Sequence, residues 1–311
     1  RLALKGAEMV PEDKVLIIDD FLANGAALMG LSNEFTDSAK AYTDEKYWNL
    51  PVFGTFYGKN VSLNLEALLA ASPQVIIDIG EAKDTIAEDM DGIQAQTGIP
   101  TIFIECSLEN TGAAYRTLGE LLGKQEEGET LAQYCEDTLA MAKEKSAAIP
   151  QEERVTLYYG EGDNGLTTIP SGSFHNTVIE LVGIDNVAVL DTTSGAGSEI
   201  SMEQLLLWNP DVVLFNPGSV YAAVGSDPLW ADVTAVQEGR YYEVPAGPYN
   251  WLSRPPSINR FLGVRWLGNL IYPDIYELDI AEEAKTFYSL FYHCDLSDEQ
   301  LTALLANSSL K

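Results

Sequence analysis

The sequence predicts an α/β fold of two Rossmann-like lobes, each built on a parallel sheet, joined by a single long α-helix. Three observations carry that expectation. A helix–turn–strand phrase is spelled twice, at "VSLNLEALLAASPQVIIDIG" (Val61–Gly80) and "EISMEQLLLWNPDVVLFNPG" (Glu199–Gly218). A further helix, glycine and strand follow each copy. One amphipathic run, "GETLAQYCEDTLAMAKEKSAAIP" (Gly128–Pro150), separates the two halves. The expected limits are an N-terminal lobe over 1–127, a linking helix over 128–150 and a C-terminal lobe over 151–311.

Each element has a local cause. "EDKVLIID" reads as a strand, and "RLALKGAEM" before it as the tail of a helix. In the first copy Ser62 or Asn64 can cap "LEALLAAS"; in the second, Ser201 can cap "MEQLLLWN". Pro73 and Pro210 stop these helices, because proline lacks an N–H and clashes with the preceding turn. The runs that follow, "QVIIDI" and "DVVLFN", are continuously apolar, as strands covered on both faces of a parallel sheet must be. "EAKDTIAEDMDGIQAQTGIPTIFIE" then reads as helix, glycine turn and strand, and "DPLWADVTAVQEGRYYEVP" repeats that order. Both are βαβ units. In the linking run, Leu131, Cys135, Leu139 and Ala142 recur at helical spacing with charges between them, giving a helix of about 20 residues and about 30 Å. "VTLYYG" opens the second lobe as a strand. "INRFLGVRWLGNLIY" and "AEEAKTFYSLFY" close it as helices packed on the sheet.

Composition narrows the function. With 46% hydrophobic and 21% charged residues the chain is globular, and no apolar run reaches the roughly 18 residues a membrane span needs. The first residues lack a signal peptide's apolar core, so an exported protein is expected here in processed form. A net charge of −29 repels phosphate backbones and anionic lipid, which argues against a nucleic-acid partner. Cys106, Cys135 and Cys294 have neither zinc-ribbon spacing nor a disulfide framework and read as small buried hydrophobes.

The doubled phrase, the linking helix and the segment "YNWLSRPPS" together resemble the class III solute-binding proteins of ABC importers. These bind ferric siderophores, haem and cobalamin, and some bind metals or oxyanions. The resemblance runs from about Phe53 to Pro273. It implies a binding protein and not an enzyme, with a ligand cleft between lobes and no resident cofactor. It also implies a place on the periplasmic or extracellular face of the membrane, with a lipid anchor in some members. The expected partner is a permease dimer with its ATPase. In such proteins an exposed Glu on each lobe docks onto arginine pockets of the permease; the matching positions are Glu66 and Glu203.

Ligands of open parallel sheets bind beyond the carboxyl ends of the strands. The loops so placed are "GTFYGKN", "GEA" and "ECS" in the first lobe, and "GEGDNG", "SGSFH", "NPGSVY" and "GPYNWLSR" in the second. Tyr57, Tyr249 and Trp251 are the expected stacking walls, and Lys59 and Arg254 the expected cations for an anionic group, with Asn60 beside them. Tyr249, Trp251 and Arg254 also match the segment that lines the pocket in the family. Arg254, followed by two prolines, can alternatively pin its own loop. His175, one of two histidines, is placed to ligate iron or to hydrogen-bond an oxyanion. His293 falls near the C-terminus, and a bare divalent cation lacks a sufficient ligand set.

The aromatic residues favour an iron chelate, a siderophore or haem-like complex. His175, Arg254 and the glycine-rich loops keep a molybdate or tungstate oxyanion as the alternative. A nucleotide-binding oxidoreductase is the distant rival, since Gly160, Gly162 and Gly165 satisfy G-x-G-x-x-G after a strand. That fingerprint needs a helix opening at its last glycine, whereas "LTTIPSGS" follows and reads as a loop.

Overall fold

The structure is a computed structural model that describes residues 14–18, 27–28, 34–54, 62–191, 197–253 and 256–309. The chain divides into two units. The first comprises Arg1–Asp137 with Leu290–Cys294; the second comprises Thr138–Ser289 with Asp295–Lys311.

The first unit holds a parallel sheet of four described strands: β1 (Lys14–Ile18), β2 (Ala27–Leu28), β3 (Val75–Gly80) and β4 (Thr101–Glu105), in the order β2-β1-β3-β4. Its helices are α1 (Asp37–Lys40), α2 (Leu65–Ala71), α3 (Ile86–Thr97) and α4 (Thr111–Leu122). Strand β1 is the expected "KVLII"; the expected helical tail before it lies outside the described residues. Successive side chains of a strand face opposite sides of the sheet. On β3, Val75, Ile77 and Ile79 accordingly pack with Ile104 and Leu118. Ile76 packs on the other side with Phe53, Leu68 and Met90. Both faces are covered, which is why the run carries no polar alternation.

Helix α5 spans Gln125–Ala147; against the linking helix expected over 128–150 it ends three residues short and begins three residues early. The reason is steric. Gly128 lies within it, where a Cβ would stand 2.7 Å from the Tyr115 carbonyl oxygen and 3.1 Å from the Gly119 Cα. The glycine that reads as a boundary is a crossing point with α4. Arg116 of α4 secures the same stretch, bonding Glu129 (2.7 and 3.0 Å) and Glu136 (2.5 and 2.9 Å). Its guanidinium holds both carboxyls below the usual range.

The second unit holds β5 (Thr156–Glu161), β6 (Thr167–Thr168), α6 (Thr177–Leu181), β7 (Asp185–Asn186), β8 (Ser198–Glu199) and α7 (Met202–Trp208). It continues with β9 (Val212–Phe215), α8 (Tyr221–Val224), α9 (Thr234–Gln237), β10 (Tyr241–Glu243), α10 (Asn259–Ile271), α11 (Pro273–Tyr276), α12 (Ile280–Tyr292) and α13 (Asp298–Leu305). Strands β10-β9-β5 are parallel neighbours, and β7 runs parallel to the first residues of β5. The last residues of β5 pair instead with β6, antiparallel, and β6 with β8. The parallel sheet thus carries a short antiparallel extension. Tyr158, Leu205, Val213, Phe215 and Trp230 form its central cluster. Arg265 of α10 reaches Thr138 on α5 at 2.9 Å and Glu283 on α12 at 2.9 Å.

The hairpin β5–β6 decides the glycine fingerprint. Gly162 and Gly165 turn the chain at φ 74° and 72°, and a strand follows, not a helix. A Cβ at Gly165 would lie 2.7–2.9 Å from Val220, Phe215 and Trp230. These glycines serve turn and packing.

Candidate functional site

The doubled phrase folds twice in the same way. Asn64 accepts a hydrogen bond from the Ala67 N–H at 3.0 Å, and Ser201 one from the Gln204 N–H at 3.2 Å, so each short helix begins with a side-chain cap. Each has seven residues and ends in a left-handed residue, Ser72 at φ 52° and Asn209 at φ 43°. A buried proline and a buried strand come next. Leu68 and Leu205 are the inward anchors, both fully buried. Two positions before them, Glu66 and Glu203 stand exposed in the first turn, where the helix dipole favours a carboxylate. The backbone N–H of Glu203 and the Ser201 hydroxyl hold its carboxyl below the usual range, so it stays ionised at lower pH than an ordinary glutamate.

The second unit gathers several loops at the carboxyl side of β5, β9 and β10. Tyr159, two residues before the end of β5, donates to Asn216 at 2.9 Å and lies 3.0 Å from the Ser253 hydroxyl. Asn250 donates to Asn216 at 2.9 Å and accepts from the backbone N–H groups of Leu252 (2.6 Å) and Ser253 (3.0 Å). Asn259 of α10 donates to the carbonyls of Gly247 (3.1 Å) and Tyr249 (2.9 Å), and the Tyr288 hydroxyl also donates to Gly247. The segment from Gly247 to Ser253 is thereby held on all sides by buried polar groups, each costly to leave unpaired.

The loop before α6 is fastened by Glu180. One of its oxygens accepts from the Gly172 N–H (2.7 Å), the Ser171 hydroxyl (3.1 Å) and the Asn176 amide (2.7 Å). Between these ties Phe174 is 37% exposed and His175 half-buried, their rings edge to face with centroids 4.9 Å apart. The guanidinium of Arg260, only 7% exposed, lies 5.1 Å from the Phe174 ring centroid. A cation over a ring face is attracted by its quadrupole. The loop therefore offers an imidazole and an apolar ring, with a buried positive charge against the ring. This arrangement suits an anion that also carries apolar surface.

Comparison with known proteins bears on what such loops hold. A family model described as periplasmic binding protein matches residues 20–248. The chain belongs to the periplasmic binding protein family. An ABC transporter solute binding protein from Sulfurospirillum deleyianum DSM 6946 is 32% identical over 95% of each chain, with a TM-score of 0.83. A periplasmic solute binding protein from Veillonella parvula DSM 2008 is 26% identical over 91% of this chain and 87% of its own, TM-score 0.75. The molybdate-bound MolA of a Haemophilus influenzae ABC transporter is 20% identical over 86% and 87%, TM-score 0.63, a likeness of fold alone. No curated protein matched the sequence. The family places the chain in class III, the solute-binding proteins of ABC importers, with the α/β architecture of two parallel-sheet lobes. No helix among the described residues is long and apolar enough to cross a membrane.

Within this periplasmic binding protein the expected ligand residues fall unevenly. Tyr57, Lys59, Asn60 and Arg254 lie outside the described residues. His175 and Tyr249 are half-buried on the loops just described. Trp251 requires a correction: it is 0% exposed and packs edge to face on Trp266 with centroids 6.3 Å apart. It has no surface for stacking a ligand. Its carbonyl oxygen would stand 1.8 Å from a Cβ on Gly263, so α10 approaches that backbone as closely as two chains can. Phe174 and Arg260 went unnoticed in the sequence. Phe174 carries no pattern, while Arg260 had a signal, the first of two cations in the mostly apolar run "INRFLGVRW".

Two cavities of the second unit lie elsewhere. One of about 570 Å³ is lined by Trp266, Leu278 and Leu305 among others. Another of about 440 Å³ lies by Val155, Asp211 and Val212, at the amino ends of β5 and β9. Parallel sheets bind ligands at the opposite edge.

Proposed function

We propose that this solute-binding protein captures an anionic iron chelate, a siderophore or haem-like complex, and delivers it to a permease dimer with its ATPase. The supporting observation is the Arg260–Phe174–His175 group, which pairs an exposed aromatic ring with a buried guanidinium. A large chelate needs both, since its organic shell seeks apolar cover and its acidic groups seek a cation. Tyr249 adds a second half-buried ring. Glu66 and Glu203 act as the two permease contacts, one on each unit, as suits a two-fold symmetric partner. The reading includes a site of action outside the cytoplasm, on the periplasmic or extracellular face, with a lipid anchor where the full protein has one.

A second reading rests on one specific observation. Burial of Trp251 removes a wall from the broad aromatic surface, and His175 with a nearby guanidinium also suits a small oxyanion such as molybdate or tungstate. A thermal-shift series with haemin, ferric siderophores, cobalamin, molybdate and tungstate separates the two. A ligand present at 100 times its Kd adds about 2.7 kcal/mol of stability, on the order of 5 °C for a protein of this size. A shift of that size with a ferric chelate or haemin, weakened by Phe174→Ala, is the expected result. A shift with an oxyanion and none with any chelate overturns it.

A further inference from the structure

The two copies of the repeated helix share more than their glutamates. Among the described residues seven large apolar side chains are exposed, and three of them sit on α2 and α7: Leu69 at 42%, Leu206 at 37% and Leu207 at 80%. Leu69 follows Glu66 by three positions. Leu206 and Leu207 follow Glu203 by three and four. Residues so spaced share one face of a helix, so each unit presents a carboxylate beside leucine. Neither helix needs these leucines for its own packing, because Leu68 and Leu205 already anchor them. The same surface built twice in one chain calls for a partner that offers the complementary surface twice.

We propose that each copy is an acid-and-leucine docking surface for the membrane permease, whose receptor sites present a cation within an apolar rim. We further propose that the copy on α7 contributes the greater share of affinity. The inference rests on the docking role given to Glu66 and Glu203 above, and it deepens that role. The partner is cationic, since a chain of net charge −29 repels both anionic lipid and a second copy of itself. The asymmetry follows from one position: Leu207 corresponds to Ala70, and no other large apolar side chain on either helix is as exposed.

The test measures binding of the intact protein to its cognate permease–ATPase complex in lipid nanodiscs, alongside sedimentation of the protein alone. Leu206→Ser with Leu207→Ser is expected to weaken docking about tenfold, the scale of burying one leucine, and Leu69→Ser about threefold. Ala70→Leu is expected to tighten it, a gain that misfolding cannot produce. Leucine variants that dock like the wild type, while charge reversal at Glu66 and Glu203 abolishes docking, overturn the apolar surface and leave the docking reading standing. If neither set matters, the docking reading itself fails. A larger loss from Leu69→Ser than from the α7 pair overturns the asymmetry. Altered self-association with unchanged docking assigns the leucines to a second copy of this chain and overturns the proposal.

Discussion

Helices α2 and α7 stand 137 residues apart, from Glu66 to Glu203, yet they begin, anchor and end in the same way. Both have a capping oxygen, a fully buried leucine, a left-handed last residue and a buried proline. They differ at half-buried positions, where Ala67 and Ala71 stand against Gln204 and Trp208, and at one exposed position, where Ala70 stands against Leu207. Capping, the central anchor and chain reversal tolerate few residues, so those positions keep the phrase. Solvent tolerates many, so on the docking role proposed above an exposed position that stays acidic in both copies, or turns apolar in one, answers to a partner.

Removing the anchors gives the largest expected effect on this likeness. Leu68→Ala and Leu205→Ala each delete a fully buried side chain, at about 2–5 kcal/mol, measured by urea denaturation. Similar losses sharpen the equivalence; a neutral result at one site breaks it. Removing the caps has a smaller effect. Asn64→Ala and Ser201→Ala each sacrifice one hydrogen bond to the first turn, about 1 kcal/mol, read in the same way. Ser201→Ala has a second consequence, because its hydroxyl also holds the Glu203 carboxyl below the usual range. The charge of Glu203 is then lost at a higher pH as the solution is acidified, which NMR titration of that side chain detects.

Much of the fold was legible because its punctuation has local physical causes. Caps, Pro73, Pro210 and Gly98 mark the ends of elements, and Gly98 does take the left-handed φ of 70° that closes α3. The doubly covered strand β9 announces itself as an unbroken apolar run, and β3 as one broken only by the buried Asp78. Strands β6 and β8 could not be read, since two residues hold no periodicity; what defines them is pairing with β5 and with each other. The start of α5 was misplaced because Gly128 answers to the α4 backbone, a contact absent from local sequence. The site was less legible for a related reason. Residue type did not reveal that Trp251 turns inward onto Trp266 while Phe174 stays exposed, nor that Arg260 within an apolar helix lies against that ring.

The central claim is that one chain carries the same partner contact twice. Its most direct test is binding of the wild type, Glu66→Lys, Glu203→Lys and the double variant to the cognate permease–ATPase complex in nanodiscs, with ligand affinity measured in parallel. Each single reversal should weaken docking and the double should abolish it, while ligand affinity stays at the wild-type value. A double variant that docks as tightly as the wild type contradicts the account.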